Sequence, residues 1–94
     1  MAHYAHVVNG YVRKIHVVAN EVITDKNGVE QEKLGKAFLS KLWGYPSKEL
    51  VQCSYNGNFR GVYPGPGFAY DPKLDQFIAP IVQEVLEPDN AAAE

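Results

Sequence analysis

Residues 4–18 read Tyr4-Ala5-His6-Val7-Val8-Asn9-Gly10-Tyr11-Val12-Arg13-Lys14-Ile15-His16-Val17-Val18. Two runs rich in β-branched and aromatic residues flank Asn9-Gly10. That pair is preferred in two-residue type I′ turns, because both central positions need positive φ. The stretch therefore predicts an antiparallel hairpin. In its second strand Tyr11, Arg13, Ile15 and Val17 share one face, and Val12, Lys14, His16 and Val18 share the other. Both faces become apolar toward Val17-Val18, which places the buried end of the strand there.

Downstream, Val22-Ile23-Thr24 is a short β-prone piece, and Asp25-Lys26-Asn27-Gly28 is a turn. Then comes the one good helix candidate, Glu30 to Leu42. Leu34, Phe38 and Leu42 repeat every four residues with Ala37 beside them, so they predict the buried stripe. Glu30 and Glu32 near its start and Lys41 near its end suit the helix dipole. Gly35 inside the helix costs about 1 kcal/mol against Ala, which suggests a close approach by another backbone. Gly44 is placed to end the helix and Pro46 prevents its resumption.

The stretch Val51–Pro80 is dense in aromatics and broken by turns. Leu50 to Tyr55 alternates as a strand, Asn56-Gly57 invites a second hairpin, and Phe59-Arg60-Gly61-Val62-Tyr63 is the expected returning strand. Pro64-Gly65-Pro66-Gly67 is a rigid irregular turn. Phe68-Ala69-Tyr70 and Gln76-Phe77-Ile78-Ala79 flank a loop and predict a last hairpin. Beyond Pro80, Ile81 to Glu87 is amphipathic and fits strand or helix, and Pro88 to Glu94 reads as a frayed tail. The expected organisation is one domain over 1–80 followed by an arm and tail over 81–94.

A chain of 94 residues allows one domain. Such a domain buries roughly 60–65% of its unfolded surface, so a partner or self-association would add to a modest stability. The net charge of −2 gives no basic footprint for nucleic acid. No apolar run reaches the roughly 18 residues of a membrane span, and Met1 to Gly10 lacks the layout of a signal peptide. Cys53 is the single cysteine, so an intrachain disulfide and a cysteine-based zinc site are both ruled out.

Groups for catalysis are sparse. His3, His6 and His16 could meet on one sheet face and bind zinc, but no acid or thiol in the same segment completes a ligand set. They read better as solvent-exposed or hydrogen-bonded strand histidines. Cys53 amid strand residues reads as a small hydrophobe. Gly65-Pro66-Gly67 is no phosphate loop, because proline removes the needed N–H donors. Asp71 and Asp75 lie in a loop with too few oxygens for a calcium pattern. Tyr55, Phe59, Tyr63, Phe68, Tyr70 and Phe77 with Arg60 could stack on bases or sugars. Core plus protein interface is the better reading.

A resemblance adds to this. Met1-Ala2-His3 before a strand, Val17-Val18-Ala19-Asn20 leading into Asn27-Gly28-Val29-Glu30, and Gly35, Ala37 and Phe38 in the helix are its first features. The most specific is Val51-Gln52 followed by Ser54-Tyr55-Asn56-Gly57-Asn58-Phe59-Arg60. Gly67, Tyr70-Asp71, Asp75, Phe77-Ile78 and Pro80 continue it. Over residues 1–80 the chain resembles a family of small virion structural proteins of tailed bacteriophages, of the cyanophage and marine-phage type. Many members of that family have an aromatic, proline-rich end where this chain has Ile81 to Leu86.

The expectation is thus an α+β fold: a small twisted antiparallel sheet of short hairpins packed on one helix, about residues 30–42. The resemblance implies a non-enzymatic virion component without cofactor or metal, assembled in the host cytoplasm. A capsid decoration or cement protein is the first expectation. Its partner would be the major capsid protein or another virion protein, met as a homo-oligomer, with no nucleic acid or membrane involved. Tyr55, Phe59, Arg60, Tyr63 and Tyr70 are the expected interface. Ile81, Val82, Val85 and Leu86 would extend it by adding a strand to a neighbour's edge. A tail, baseplate or fibre-adaptor subunit is the alternative in the same class. A carbohydrate-binding module for host attachment is the alternative in another.

Overall fold

The computed structural model describes residues 1–80. The fold is α+β, with a five-stranded antiparallel sheet and one main helix. The strands are β1 (Ala2–Val8), β2 (Tyr11–Val18), β3 (Leu50–Cys53), β4 (Ala69–Asp71) and β5 (Gln76–Ile78). They lie in the order β3-β1-β2-β4-β5. A short helix α1 (Asn20–Ile23) and the long helix α2 (Glu32–Trp43) connect β2 to β3. No helix among the described residues is long and apolar enough to cross a membrane.

The first hairpin forms as the sequence predicts, with Asn9 at φ 54° and Gly10 at φ 84°. Its register holds a surprise. Ala2 pairs with Val18, Tyr4 with His16 and His6 with Lys14, but Val7 pairs with Val12. Arg13 is the extra residue of a β-bulge. The bulge moves Val12 to the opposite face from His16 and Val18. Val12 packs with Ala5, Val7, Val51, Cys53 and Phe77, whereas Val18 packs with Ala2, Tyr4, Ile23, Leu39 and Leu50. The central strand β1 therefore feeds two cores, one under the helices and one under the β4–β5 hairpin. The expectation that both faces are buried near the strand end fails at Val17, which is 53% exposed.

Helix α2 begins two residues later than expected and ends as expected, with Gly44 at φ 78° and its N–H donating to the Ser40 carbonyl at 2.8 Å. Its buried face differs from the predicted stripe. Gly35 and Leu39 point into the core, and Phe38 and Leu42 are exposed. The reason is Tyr4. Its ring is fully buried and lies against Gly35, and its hydroxyl donates to the Glu32 carbonyl at 2.9 Å. The helix is rotated so that its one residue without a side chain faces that ring; the close approach expected at Gly35 is thus made by a side chain and not by a backbone.

Of the β-prone piece Val22-Ile23-Thr24, Val22 and Ile23 belong instead to α1, while Thr24 is extended and bridges Glu30 antiparallel. Thr24 Oγ1 donates to the Asn20 carbonyl at 2.7 Å, and Ile23 is buried against Leu39. Packing under α2 outweighs the local β preference. The turn that follows is organised by Asp25. Its Oδ1 accepts from the N–H groups of Asn27 and Val29, and its Oδ2 from Gln31 Nε2.

The last hairpin is present as β4 and β5, with Tyr70 opposite Phe77. It joins β2 at only one pair, Tyr11 with Ala69. The sheet curls there, so that Phe77 lies in the second core with Val12 and Cys53.

Candidate functional site

The segment between β3 and β4 is the candidate site. The hairpin expected at Asn56-Gly57 is replaced by a turn one residue earlier, with Tyr55-Asn56 at its centre: Gly57 N–H donates to the Ser54 carbonyl at 3.0 Å, and Asn58 N–H to Ser54 Oγ at 2.9 Å. The expected returning strand, Phe59 to Tyr63, does not form. Gly57, Arg60 and Gly61 all have positive φ, at 68°, 57° and 77°. Such angles break an extended run. The chain turns twice and pairs briefly with β5, where Gly61 bridges Phe77 and Phe77 N–H donates to the Arg60 carbonyl at 3.0 Å.

Arg60 holds this segment in place. Its Nε donates to Asp75 Oδ1 at 2.8 Å. Its Nη1 donates to Glu32 Oε2 at 3.0 Å and to the Gln52 carbonyl at 2.9 Å. The same Glu32 Oε2 accepts the Gln52 N–H at 2.8 Å. The guanidinium thereby connects the β4–β5 turn, the edge strand β3 and the first turn of α2. Asp75 also accepts from the Tyr70 hydroxyl. Tyr70 and Arg60 together hold the Asp75 carboxyl below its ordinary 3.8.

Around this tie the aromatics divide. Tyr55 is 67% exposed and Phe59 44% exposed. Tyr63 and Tyr70 are half-buried and pack on the second core. Tyr55 stacks on His3 with ring centroids 5.6 Å apart, and Tyr63 meets both rings edge-on. Tyr70 lies against Phe77 with centroids 5.1 Å apart. The structure brings together Tyr55, Phe59 and Tyr63 on one side of the molecule. It directs Arg60 inward, where its charge is engaged. Ile81, Val82, Val85 and Leu86 lie outside the described residues.

An open recess of about 220 Å³ runs beside these rings, lined among others by His3, Cys53, Tyr55 and Phe59. Cys53 at its floor is buried, and burial pushes its thiol up to about 12. A thiol so placed stays protonated at neutral pH and is a poor nucleophile. Among the described residues no group of three or more His, Cys, Asp or Glu side chains could hold a metal ion.

Sequence reasoning missed a second aromatic cluster, on the helix side of the sheet. His6 stacks on Tyr45 with centroids 3.7 Å apart, and its Nε2 lies 2.9 Å from Glu49 Oε1. His16 Nε2 lies 3.1 Å from the Tyr45 hydroxyl. Trp43 closes the cluster beside His16, with Lys14 Nζ 5.4 Å from its ring centroid. The hairpin places His6 and His16 on one face and His3 on the other, so the three histidines do not meet. Tyr45 and Glu49 come from the connection after α2, far from the hairpin in sequence. Burial, then Lys14 and His6, keep His16 below its ordinary 6.5.

Comparison with protein-family models, with characterised proteins and with solved structures found no match for this chain.

Proposed function

We propose that this protein is a non-enzymatic structural component of a tailed-bacteriophage virion, a decoration protein that binds the assembled major capsid protein. One observation carries the reading. Tyr55, Phe59 and Val62 are 67%, 44% and 50% exposed, and they sit on a segment fixed from below by Arg60. Large apolar side chains gathered on an irregular but anchored segment are what a protein interface uses as anchors. That same segment, Ser54 to Arg60, holds the most specific part of the resemblance to phage virion proteins.

The mechanism follows from that arrangement. Tyr55 is held against His3 and Tyr63 before any partner arrives. Little side-chain freedom is lost when it docks, which favours affinity. Docking on a surface that exists only in the assembled shell stabilises the shell by mass action. Tyr63, Tyr70 and Arg60 support the surface from within. The protein would act in the virion, after assembly in the host cytoplasm.

The test is binding to purified shells that lack the protein, followed by their heat stability. Saturable binding near the copy number of the major capsid protein is expected, with a rise in the disruption temperature. Tyr55→Ala with Phe59→Ala should abolish both effects while leaving the fold intact by circular dichroism. A copy number far below that of the capsid protein, or localisation to the tail, would overturn the decoration reading and favour an adaptor subunit.

A further inference from the structure

Strand β2 lies inside the sheet only at its first residues. It meets β4 at the single pair Tyr11 with Ala69, and at Val12, whose N–H donates to the Phe68 carbonyl and whose carbonyl accepts the Gly67 N–H. From Arg13 to Val18, among the described residues, no strand pairs with that side of β2. The peptide groups there have a definite direction. The Gln52 N–H and carbonyl turn away from β1, toward Glu32 and Arg60. Successive residues of an antiparallel strand alternate in this respect. Tyr4, opposite Gln52, therefore bonds to His16 on β2, and the N–H and carbonyl groups of Ile15 and Val17 point outward.

The other edges are closed by the molecule itself. On β3 the Leu50 N–H donates to the Ser47 carbonyl, and Gln52 is capped by Glu32 and Arg60. On β5 the Phe77 N–H donates to the Arg60 carbonyl beside the Gly61 bridge. The edge of β2 lacks such a cap, and an unpaired edge is a template for a further strand. Residues 81–87 are a poor occupant. Ile81-Val82 and Val85-Leu86 are adjacent pairs, so neither face of a strand built from them is apolar throughout. A second β2 fits better. Set antiparallel with His16 opposite His16, Ile15 of each copy stands opposite Val17 of the other and exchanges both backbone hydrogen bonds with it. The exposed Val17 side chain then packs against Ile15. The charges agree as well. Arg13 of each copy comes opposite Ala19 of the other, two residues from Glu21. Both Arg13 and Glu21 are exposed, and among the described residues neither has an ion-pair partner. A parallel pairing would instead set Arg13 against Arg13.

We infer that two copies of this chain join edge to edge through residues 13–18 of β2, as an antiparallel pair about a twofold axis at His16. The contact is isologous and closes at two copies. The two sheets run into one another across the axis, with the helices of both copies on the same face. Trp43, exposed over Lys14 and beside His16, then lies near the axis. The inference stands apart from the virion reading, because it concerns contacts between copies of this chain alone.

The experiment is sedimentation equilibrium of the full chain over a range of concentrations, with amide exchange followed by NMR. A monomer–dimer equilibrium is expected. The Ile15 and Val17 amides should gain protection as concentration rises, while the His16 amide, bonded to β1, is protected throughout. Val17→Pro removes an outward N–H without touching the β1 ladder, so the monomer should still fold. Its dimer should be weaker by about tenfold or more, since each copy loses a hydrogen bond to the other. Arg13→Glu and Glu21→Arg, both at exposed positions, should each weaken the dimer. An equimolar mixture of those two proteins should associate more tightly than either alone, because both pairs across the axis are restored with their signs reversed. A full chain that stays monomeric at every concentration overturns the inference. So does a mixture that associates no better than its components, or association that leaves the Ile15 and Val17 amides unprotected. Association that Val85→Glu with Leu86→Glu reduces and Val17→Pro does not would overturn it in favour of the C-terminal segment.

Discussion

The ring of Tyr4 fills the space that a side chain at Gly35 would need, so a β-carbon there would overlap the phenol. Helix propensity alone favours alanine over glycine by about 1 kcal/mol. The overlap falls on a fully buried ring packed between sheet and helix, which cannot swing away. Overpacking of that kind costs about 1–3 kcal/mol. Gly35→Ala should therefore lower the denaturant midpoint despite its better helix propensity. The cost should shrink in a Tyr4→Leu background, where the phenol is gone. Additive effects of the two substitutions would show that the ring does not set the helix position.

Arg60 serves three acceptors from three elements, and a lysine cannot copy that fork. Arg60→Lys should recover little of the loss in Arg60→Ala, which we expect to be about 1–3 kcal/mol for a partly exposed charged network. Backbone conformation separates a second contribution. Arg60 sits at φ 57°, where glycine is easier than alanine by about 1 kcal/mol. Arg60→Gly should therefore be more stable than Arg60→Ala, measured by urea denaturation.

Two buried acids set an alkaline limit. Burial first, and Glu32 second, push the Tyr4 hydroxyl up to about 12. Burial pushes the Cys53 thiol to about the same value. A group whose pKa is raised on folding stabilises fully below its unfolded pKa and loses that contribution as pH rises toward its folded pKa. Stability should therefore fall above pH 9 for Cys53, from its ordinary 9.0, and above pH 10 for Tyr4, from its ordinary 10.0. Cys53→Ala should flatten the first part of that decline in melts followed between neutral and alkaline pH.

His16 acts at the other end of the scale. Its folded pKa lies below 6.5 because burial, Lys14 and His6 disfavour its charge. The unfolded chain binds the proton first, so stability is complete above pH 6.5 and declines as pH falls below it. The Tyr45 hydroxyl, the Trp43 ring, Lys14 and His6 face the imidazole. His16→Gln should remove the decline just below pH 6.5. It should leave intact the steeper loss at lower pH, where Asp25 and Asp75 titrate from below their ordinary 3.8.

The sequence made the hairpins at Asn9-Gly10 and at Tyr70 legible, because turn chemistry is local. It did not show the bulge at Arg13, which depends on how β1 is shared between two cores. Helix α2 was legible in extent but not in rotation. Leu34, Phe38 and Leu42 satisfy the periodicity of a buried stripe, yet Tyr4 selects Gly35 from a distant strand. The site was half legible. Tyr55 and Phe59 are exposed as an interface requires, whereas the inward role of Arg60 needs Glu32 and Asp75, neither of them near it in sequence. The Tyr45–Glu49 cluster was hidden for the same reason.

The rotation of α2 makes a sharp distinction between neighbouring leucines. Leu39 is 2% exposed and packs with Tyr4, Ile23 and Leu50, while Leu42 is 61% exposed. Leu39→Ala should cost about 2–5 kcal/mol through lost burial and the cavity left behind. Leu42→Ala and Phe38→Ala should each change the stability of the monomer by about 0.5 kcal/mol or less, as surface substitutions do. Periodicity alone predicts the reverse order, with Leu42 and Phe38 costly and Leu39 cheap. Urea denaturation of the three variants at low protein concentration, where contacts between copies do not contribute, decides between the two rotations.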